Sequence, residues 1–152
     1  MTTPGSFTVG YVLTAADMNE FGAFTTITVT ASNFAGTVTA RSYIMQKIAW
    51  VEITATATGA ASGLITFTLP AGHEIATTDI PIGNVLLINN TGGINYNGIA
   101  IRGATNLTVA PRAFDNGATY TRYTRTAAVN ATVPTTWASG DIIKMWLNYR
   151  VA

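Results

Sequence analysis

From residue 25 onward, apolar and polar residues alternate along the chain in short runs that turn residues interrupt. Successive side chains of a β-strand point to opposite faces, so this alternation predicts strands with one buried face. The clearest run is 141–151, whose apolar face consists of Ile143, Met145, Leu147, Tyr149 and Val151. We expect this strand to lie centrally in a sheet and to supply much of the core.

Shorter runs of the same kind bring the prediction to about ten strands, separated by clusters of Gly, Pro, Asn and Asp. In the run 43–58 the alternation changes phase near residues 49–51, which predicts a bulge or a strand covered on both faces. The run 64–69 places Ile65, Phe67 and Leu69 inward. The other predicted strands are 25–31, 36–41, 85–88, 94–96, 99–101, 107–110, 119–126 and 127–133.

Local signals also predict where strands stop. Asn97-Gly98 is a dipeptide that favours a two-residue hairpin turn. Pro111 cannot donate a ladder hydrogen bond, so it predicts the end of the strand before it. The segment 70–83 combines Pro, Gly and charged residues, which predicts a long surface loop.

Residues 7–21 are the exception to the β pattern. Thr14 followed by Asp17 has the form of a capping box, which predicts a short helix starting near Ala15. Gly22 is suited to end that helix. The result is an arm with one apolar side that is too short to bury itself. The residues that we expect to attach it to a partner are Phe7, Val9, Tyr11, Leu13, Met18 and Phe21. The alternative is that the arm packs on the β domain of its own chain.

These patterns together predict an all-β protein, an antiparallel β-sandwich of jelly-roll type with a short N-terminal helical arm. A chain of 152 residues is long enough for one core. We therefore divide it into an attachment arm, residues 1–24, and a sandwich domain, residues 25–152. The first residues lack the basic flank and apolar centre of a signal peptide, and no apolar run is long enough to predict a membrane span.

Charged residues are sparse. Asp, Glu, Lys and Arg make up 10% of the chain, compared with about 25% in an average soluble domain. The surface must therefore consist largely of Thr, Ala, Asn and Gly, which suits a surface that neighbouring subunits cover. A net charge of +1 gives no general attraction to nucleic acid or to a membrane, and we expect neither as a partner.

Residues suited to catalysis are few. The chain has no cysteine and one histidine, His73, and its polar Gly72-His73-Glu74 setting predicts a solvated side chain rather than a base or ligand. Binding of a metal by His73, Glu74 and Asp79 is an alternative that we favour less than ordinary solvation. We expect a protein that is not an enzyme and that has no catalytic residue, metal or cofactor.

The segment 119–126 carries the strongest binding signal outside the arm. Tyr and Arg alternate there, and both residue types are enriched at protein interfaces and stack on sugars or bases. An edge strand whose arginines discourage sheet pairing is an equally good interpretation. The residues concerned are Tyr120, Arg122, Tyr123 and Arg125, and Arg102, Arg112 and Trp137 are candidates for a similar surface.

The arm resembles a leader found near the start of many small structural proteins of tailed bacteriophages. Residues 7–19 read FTVGYVLTAADMN, which is similar to the pattern F-x-x-G-x-x-L-T-A-A-D/Q-x-N. The closing segment 137–141, WASGD, looks like the entry to the last strand of their Thr- and Gly-rich β-sandwich domains. The two pieces cover about a fifth of the chain.

The resemblance implies a virion protein, commonly a homotrimer, that attaches to the particle through its N-terminal region. The arm runs into the sandwich without a shaft, which favours a head decoration or minor capsid protein that binds the major capsid protein or another virion protein. The alternative is a tail-associated receptor-binding protein that recognises a host surface glycan, and a third hypothesis is a virion-bound depolymerase. In each case the protein is made in the host cytoplasm and ends at the particle surface.

Overall fold

A computed structural model of the chain describes residues 23–78, 80–114 and 126–152. Within these residues the fold is all-β and antiparallel, and it contains no helix. The predicted fold class is confirmed at this level. The predicted helix near residues 15–21 and most of the arm lie outside the described residues.

Ten strands make up the described part of the chain. Their bounds are β1 (Thr25–Ile27), β2 (Thr30–Ser32), β3 (Gly36–Met45), β4 (Ile48–Ala57), β5 (Thr66–Thr68), β6 (Gly83–Asn89), β7 (Ile94–Arg102), β8 (Thr108–Phe114), β9 (Thr126–Ala128) and β10 (Ile142–Arg150).

All ten strands belong to one sheet with the order β1-β3-β4-β10-β6-β7-β8-β5-β2, and β9 pairs with β8 beside β5. β1 and β2 stand at opposite ends of this order, yet only Thr28 and Val29 separate them in the chain. Three peptide steps span at most about 11 Å, so the two ends of the sheet must approach each other. The sheet is therefore curled into a half-barrel.

The last strand, β10, lies between β4 and β6 near the middle of the sheet. Its residues Ile143, Met145, Leu147 and Tyr149 are all buried in the core, while Val151 is half-buried just beyond the strand. Both the position and the inward face predicted for this strand are confirmed. The inward orientation of Ile65, Phe67 and Leu69 is confirmed as well.

The segment 43–58 belongs to a hairpin of β3 and β4, so the prediction of a single strand, with a bulge or covered on both faces, was wrong. Gln46 and Lys47 form the turn, with φ angles of 48° and 66°. Two consecutive positive φ angles are the property of the two-residue turn that matches strand twist. Since the turn holds two residues, the inward positions change from even numbers on β3 to odd numbers on β4. The phase shift that the sequence shows near residues 49–51 has another origin, because Ile48 and Trp50 lie on the outward side of β4 whereas Val51 and Ile53 are buried.

The predicted turn at Asn97-Gly98 was also wrong, because β7 runs through both residues from Ile94 to Arg102. Gly98 is needed for space: a Cβ at this position would meet the backbone carbonyl of Arg112 on β8. Glycine within a strand often marks such a close approach of two backbones. The sequence signal was therefore present but was assigned to the wrong cause.

Pro111 does not end a strand as predicted but lies inside β8. Its carbonyl oxygen accepts a hydrogen bond from the Val129 N–H at 3.1 Å. The N and C=O of one residue in a strand point to the same side, so the proline nitrogen faces β9 rather than β7. The missing N–H therefore removes no bond from the ladder between β7 and β8.

The segment 70–83 is irregular, as predicted, but it is not simply a surface loop. Ile75 and Ile82 are buried in the core, and Ile75 forms a bridge with Val151 just beyond the end of β10. The segment thus closes one end of the half-barrel. Its polar residues hid this role in the sequence.

Replacing Gly98 by alanine is expected to lower the free energy of unfolding by about 1–3 kcal/mol, the usual range for an overpacked interior. Either β7 or β8 must move to make room for the new Cβ. Gly59→Ala is the matched control, because a Cβ there would have only the Ala35 side chain nearby, at 4.0 Å. Urea denaturation of both variants measures the difference, and equal stabilities would contradict this account of Gly98.

Candidate functional site

The six residues predicted to attach the arm to a partner all lie outside the described part of the chain. Those residues are Phe7, Val9, Tyr11, Leu13, Met18 and Phe21. The structure does describe where the arm joins the sheet. Phe24, which immediately precedes β1, lies with its ring centroid 6.3 Å from that of Tyr43 on β3. The chain therefore enters the sheet on the outward side of β3.

The predicted Tyr/Arg interface, Tyr120, Arg122, Tyr123 and Arg125, also lies outside the described residues. The structure describes the two residues that bound the segment: Phe114 at the end of β8 is the register partner of Thr126 at the start of β9. The described chain therefore stops before residue 115 and resumes at residue 126 at neighbouring positions of the sheet. Whether they form an interface or an edge strand stays a prediction.

A group of apolar side chains covers the outward side of β3, β4 and β10, and we call it the aromatic face. Tyr43 and Trp50 are register partners, and their rings stack at 5.5 Å with 23° between their planes. The Tyr43 hydroxyl lies 3.0 Å from the Met45 sulfur. The members of the aromatic face are Phe24, Tyr43, Met45, Trp50 and Trp146.

Three members of this face are well exposed: Phe24 at 39%, Met45 at 38% and Trp146 at 45%. Trp146 pairs with Glu52 across β10 and β4, so it is the diagonal neighbour of Trp50 and within reach of that long side chain. Single exposed apolar residues are ordinary, whereas a contiguous exposed group marks a surface that binds something. The aromatic face is the best candidate contact surface among the described residues.

An ion pair stands beside the aromatic rings. The Arg41 Nε and the Glu52 Oε2 are 2.5 Å apart across β3 and β4, and the Arg41 guanidinium carbon lies 5.0 Å from the centre of the Phe24 ring. Exposed pairs of this kind contribute about 0–1 kcal/mol to stability. Arg41 and Glu52 therefore add hydrogen-bonding groups and charge to the surface more than they add stability.

Sequence reasoning missed the aromatic face because it depends on register. With 43–58 interpreted as one strand, Tyr43 and Trp50 were seven positions apart and fell on opposite faces. Folding the segment at Gln46-Lys47 makes them cross-strand partners. The alternation on each side of that dipeptide was the available signal, but Gln-Lys is not a pair typical of such turns.

His73 is not solvated as predicted: 9% of the residue is exposed. Its Nε2 lies 2.8 Å from the Ser42 Oγ, and its carbonyl oxygen accepts a hydrogen bond from the Tyr149 hydroxyl at 3.1 Å. Nδ1 is buried and has no hydrogen-bond partner among the described residues. The ring therefore belongs to the closed end of the half-barrel.

Burial lowers the pKa of His73, because the charged ring would lose its hydration. The Ala71 backbone and the Glu74 carboxylate oppose this effect, although Ala71 does not reach hydrogen-bonding geometry with Nδ1. Burial also raises the pKa of the Tyr149 phenol, and the charge of Glu74 adds to the rise. Each of these shifts favours the neutral form of a buried side chain.

The contact between Ser42 and His73 resembles a nucleophile and its base only in part. Ser42 is 3% exposed, so a substrate could not reach its oxygen in this conformation. A catalytic histidine is also oriented by a third group on its other nitrogen, and Nδ1 has none within the described chain. The arrangement fits a buried polar contact that holds the 70–76 segment against β3.

The alternative of a metal site formed by His73, Glu74 and Asp79 does not match the positions of the described side chains. His73 points toward Ser42, whereas the exposed Glu74 carboxylate accepts the Gly72 N–H at 3.1 Å. Hydrogen bonds from the backbone N–H groups of Glu74 and Gly72 lower the pKa of the Glu74 carboxyl. Asp79 lies outside the described residues, and among the others no three His, Cys, Asp or Glu side chains are grouped around a common point.

The sequence suggested that Trp137 forms a binding surface with Arg102 and Arg112. The structure shows that Trp137 does not lie on the surface. The residue is 2% exposed, its ring packs edge-on against Phe34 at 6.0 Å, and its Nε1–H donates to the Asn130 carbonyl at 2.8 Å. Arg102 and Arg112 lie on β7 and β8. The indole therefore belongs to the core.

Asp141 is a fully buried carboxylate that sequence reasoning did not single out. One oxygen accepts the Asn90 N–H at 2.9 Å, and the other accepts the Ala138 N–H, also at 2.9 Å. The side chain therefore joins the turn before β10 to the turn after β6. This explains the WASGD segment as structural, with a carboxylate satisfying backbone donors that would otherwise be buried without partners.

Comparison of the chain with protein-family models, with curated proteins and with solved structures found no match in any of the three. The described residues include no helix that is long and apolar enough to cross a membrane.

Stability should depend on pH through His73. Its folded pKa is lowered, so the unfolded chain binds the proton more readily, and stability should fall as pH decreases through the ordinary value near 6.5. Full stability should be present above that value. Urea unfolding measured between about pH 8 and pH 5 should show the decline, which lies above the range in which carboxylates titrate.

His73→Gln is the control, since its amide can keep the contact with Ser42 but does not titrate in this range. His73 is the sole histidine of the chain. The variant should therefore lose most of the slope between pH 8 and pH 5. An unchanged slope in His73→Gln, or a flat profile in the parent protein, would contradict the assignment.

Proposed function

We propose that this protein is a structural component of a tailed-bacteriophage virion, a head decoration or minor capsid protein that binds the major capsid protein through its N-terminal arm. The observation that carries the proposal is the segment 7–19, FTVGYVLTAADMN, with its resemblance to the leader of small virion proteins. The proposal includes the finer fold features that the sequence patterns predict, a jelly-roll sandwich and a short helix in the arm.

The geometry at the junction of arm and sheet supports this role. β1 begins at Thr25, four residues after Phe21, and Phe24 already contacts Tyr43. No shaft separates the proposed attachment segment from the β domain, as expected for a compact protein seated on a shell. Phe24, where the arm joins the sheet, lies beside Tyr43 at the edge of the aromatic face.

Assembly as a homotrimer at the particle surface is part of the same proposal. The low charge of the chain and the exposed aromatic face both favour a protein whose surface is partly covered by neighbours. Aromatic residues are enriched in such contacts, whereas Lys, Glu and Asp are depleted. Sedimentation at micromolar concentration would distinguish a trimer from a stable monomer.

Replacing Leu13, Met18 and Phe21 together by serine should abolish binding to purified heads that lack this protein. Each buried large apolar side chain contributes about 1.5–3 kcal/mol, and a loss of about 3 kcal/mol already weakens binding by more than a hundredfold. Cosedimentation with the heads measures the effect. Thr2→Ser with Thr3→Ser is the control, and unchanged binding of the triple variant would refute attachment through the arm.

Glycan recognition by a tail-associated protein is the second candidate, and a separate observation favours it. The stacked rings of Tyr43 and Trp50 lie beside the exposed Arg41 and Glu52 side chains, and aromatic rings with adjacent hydrogen-bonding groups are suited to holding a sugar. Specific adsorption of the isolated protein to host cells, lost in Trp50→Ala, would move the assignment to this function.

A further inference from the structure

The aromatic face lies where the chain enters the sheet. Thr25 pairs with Ser42 in antiparallel register, so Phe24, the residue before it, lies on the side of Ser42 that leads toward Met45. Phe24 is the first large side chain on this path, and its ring lies near Tyr43 and under the Arg41 guanidinium. The described chain therefore begins at the edge of the aromatic face.

No part of the described chain covers this face. Trp146, for example, keeps 45% of its surface exposed. Apolar surface removed from water contributes about 25 cal/mol per Å², so an apolar segment that reached the face would be held there. Residues 7–21 include seven large apolar side chains: Phe7, Val9, Tyr11, Val12, Leu13, Met18 and Phe21.

The N-terminal segment and the aromatic face also carry opposite charges. Residues 1–22 carry Asp17 and Glu20 but no Lys or Arg. The outward positions of β3, β4 and β10 carry Arg41, Lys144 and Arg150 against a single acid, Glu52. The face therefore has an excess of positive charge, and the segment that starts beside it is acidic.

The distance is short enough for the same chain to cover the face. Neighbouring strands are about 4.8 Å apart, and β10 is three strands from β1, so Trp146 is roughly 14 Å across the sheet from the point where the chain enters it. About five extended residues before Phe24 would span this distance. A segment tethered so closely has an effective concentration in the millimolar range, which favours it over the same segment of another copy.

We propose that residues 7–21 dock on the aromatic face of their own chain in the free protein. The apolar side chains of the segment contact Tyr43, Trp50 and Trp146, and its acidic residues lie toward the basic border of the face. The contact does not rest on the proposed virion function. If the arm also binds a particle, the particle and the face compete for the same apolar residues.

Paramagnetic broadening in the full-length protein tests the proposal. The chain has no cysteine, so Asn19→Cys gives a single site for a nitroxide label within the segment. The indole N–H signals of the three tryptophans are the readout. Trp50 and Trp146 should lose most of their intensity, while Trp137, buried on the inner side of the sheet, should lose much less. Equal losses at all three, or no loss, would overturn the proposal.

A mixed sample separates contacts within one chain from contacts between copies. Isotope-labelled protein without nitroxide is combined with unlabelled protein that carries it, so only contacts between copies broaden the observed signals. No selective broadening of Trp50 and Trp146 is expected here. Broadening as strong as in the sample where every copy carries the nitroxide would show that another copy supplies the segment. That result would overturn docking within one chain.

Two variants of the spin-labelled protein complete the test. Leu13→Ser with Met18→Ser and Phe21→Ser should restore the Trp50 and Trp146 signals, and unchanged broadening would contradict apolar docking. Trp146→Ala should restore the Trp50 signal while it keeps every arm residue that the particle would bind. Loss of docking with intact particle binding in Trp146→Ala distinguishes this inference from the proposed function.

Discussion

The fold depends on one constraint of chain connectivity. β1 and β2 are separated by two residues but lie at opposite ends of the strand order. A flat sheet of this order would place them many strand widths apart, which two residues cannot span. Curling the sheet brings its ends together, encloses the apolar side of each strand and turns the other side outward. The core and the aromatic face are therefore two results of the same closure.

Side-chain hydrogen bonds hold β10 near both of its ends. Asp141, just before the strand, accepts two backbone N–H groups from neighbouring turns, and Tyr149, near its last residue, donates to the His73 carbonyl. Buried polar groups are tolerated when they are paired in this way and are costly when they are not. The central strand thus fixes the turns at one end of the half-barrel and the irregular 70–76 segment at the other.

Much of the fold was predictable wherever alternation alone decides the face of a strand, as in β10 and around Ile65, Phe67 and Leu69. Prediction failed where the pairing of strands decides the position of a turn or the contacts of a side chain. The Gln46-Lys47 turn has no Gly or Asn to reveal it, and Gly98 serves the contact between β7 and β8 rather than a turn. His73 was misplaced because its local sequence is polar while its contacts, Ser42 and Tyr149, are distant in the chain. The aromatic face needed the register of β3 with β4, which no local pattern supplies.

Tethering decides which occupant of the aromatic face is favoured in the free protein. A separate molecule that binds the face loses translational and rotational freedom, at a cost of about 4–15 kcal/mol, before any contact contributes. Residues 7–21 are already joined to Phe24 and avoid that loss. If the arm docks as proposed, a particle could remove it from the face only by offering it more apolar contact, or several contacts at once. If the arm binds a particle as proposed, Trp146 and its neighbours become exposed only when the arm leaves the face.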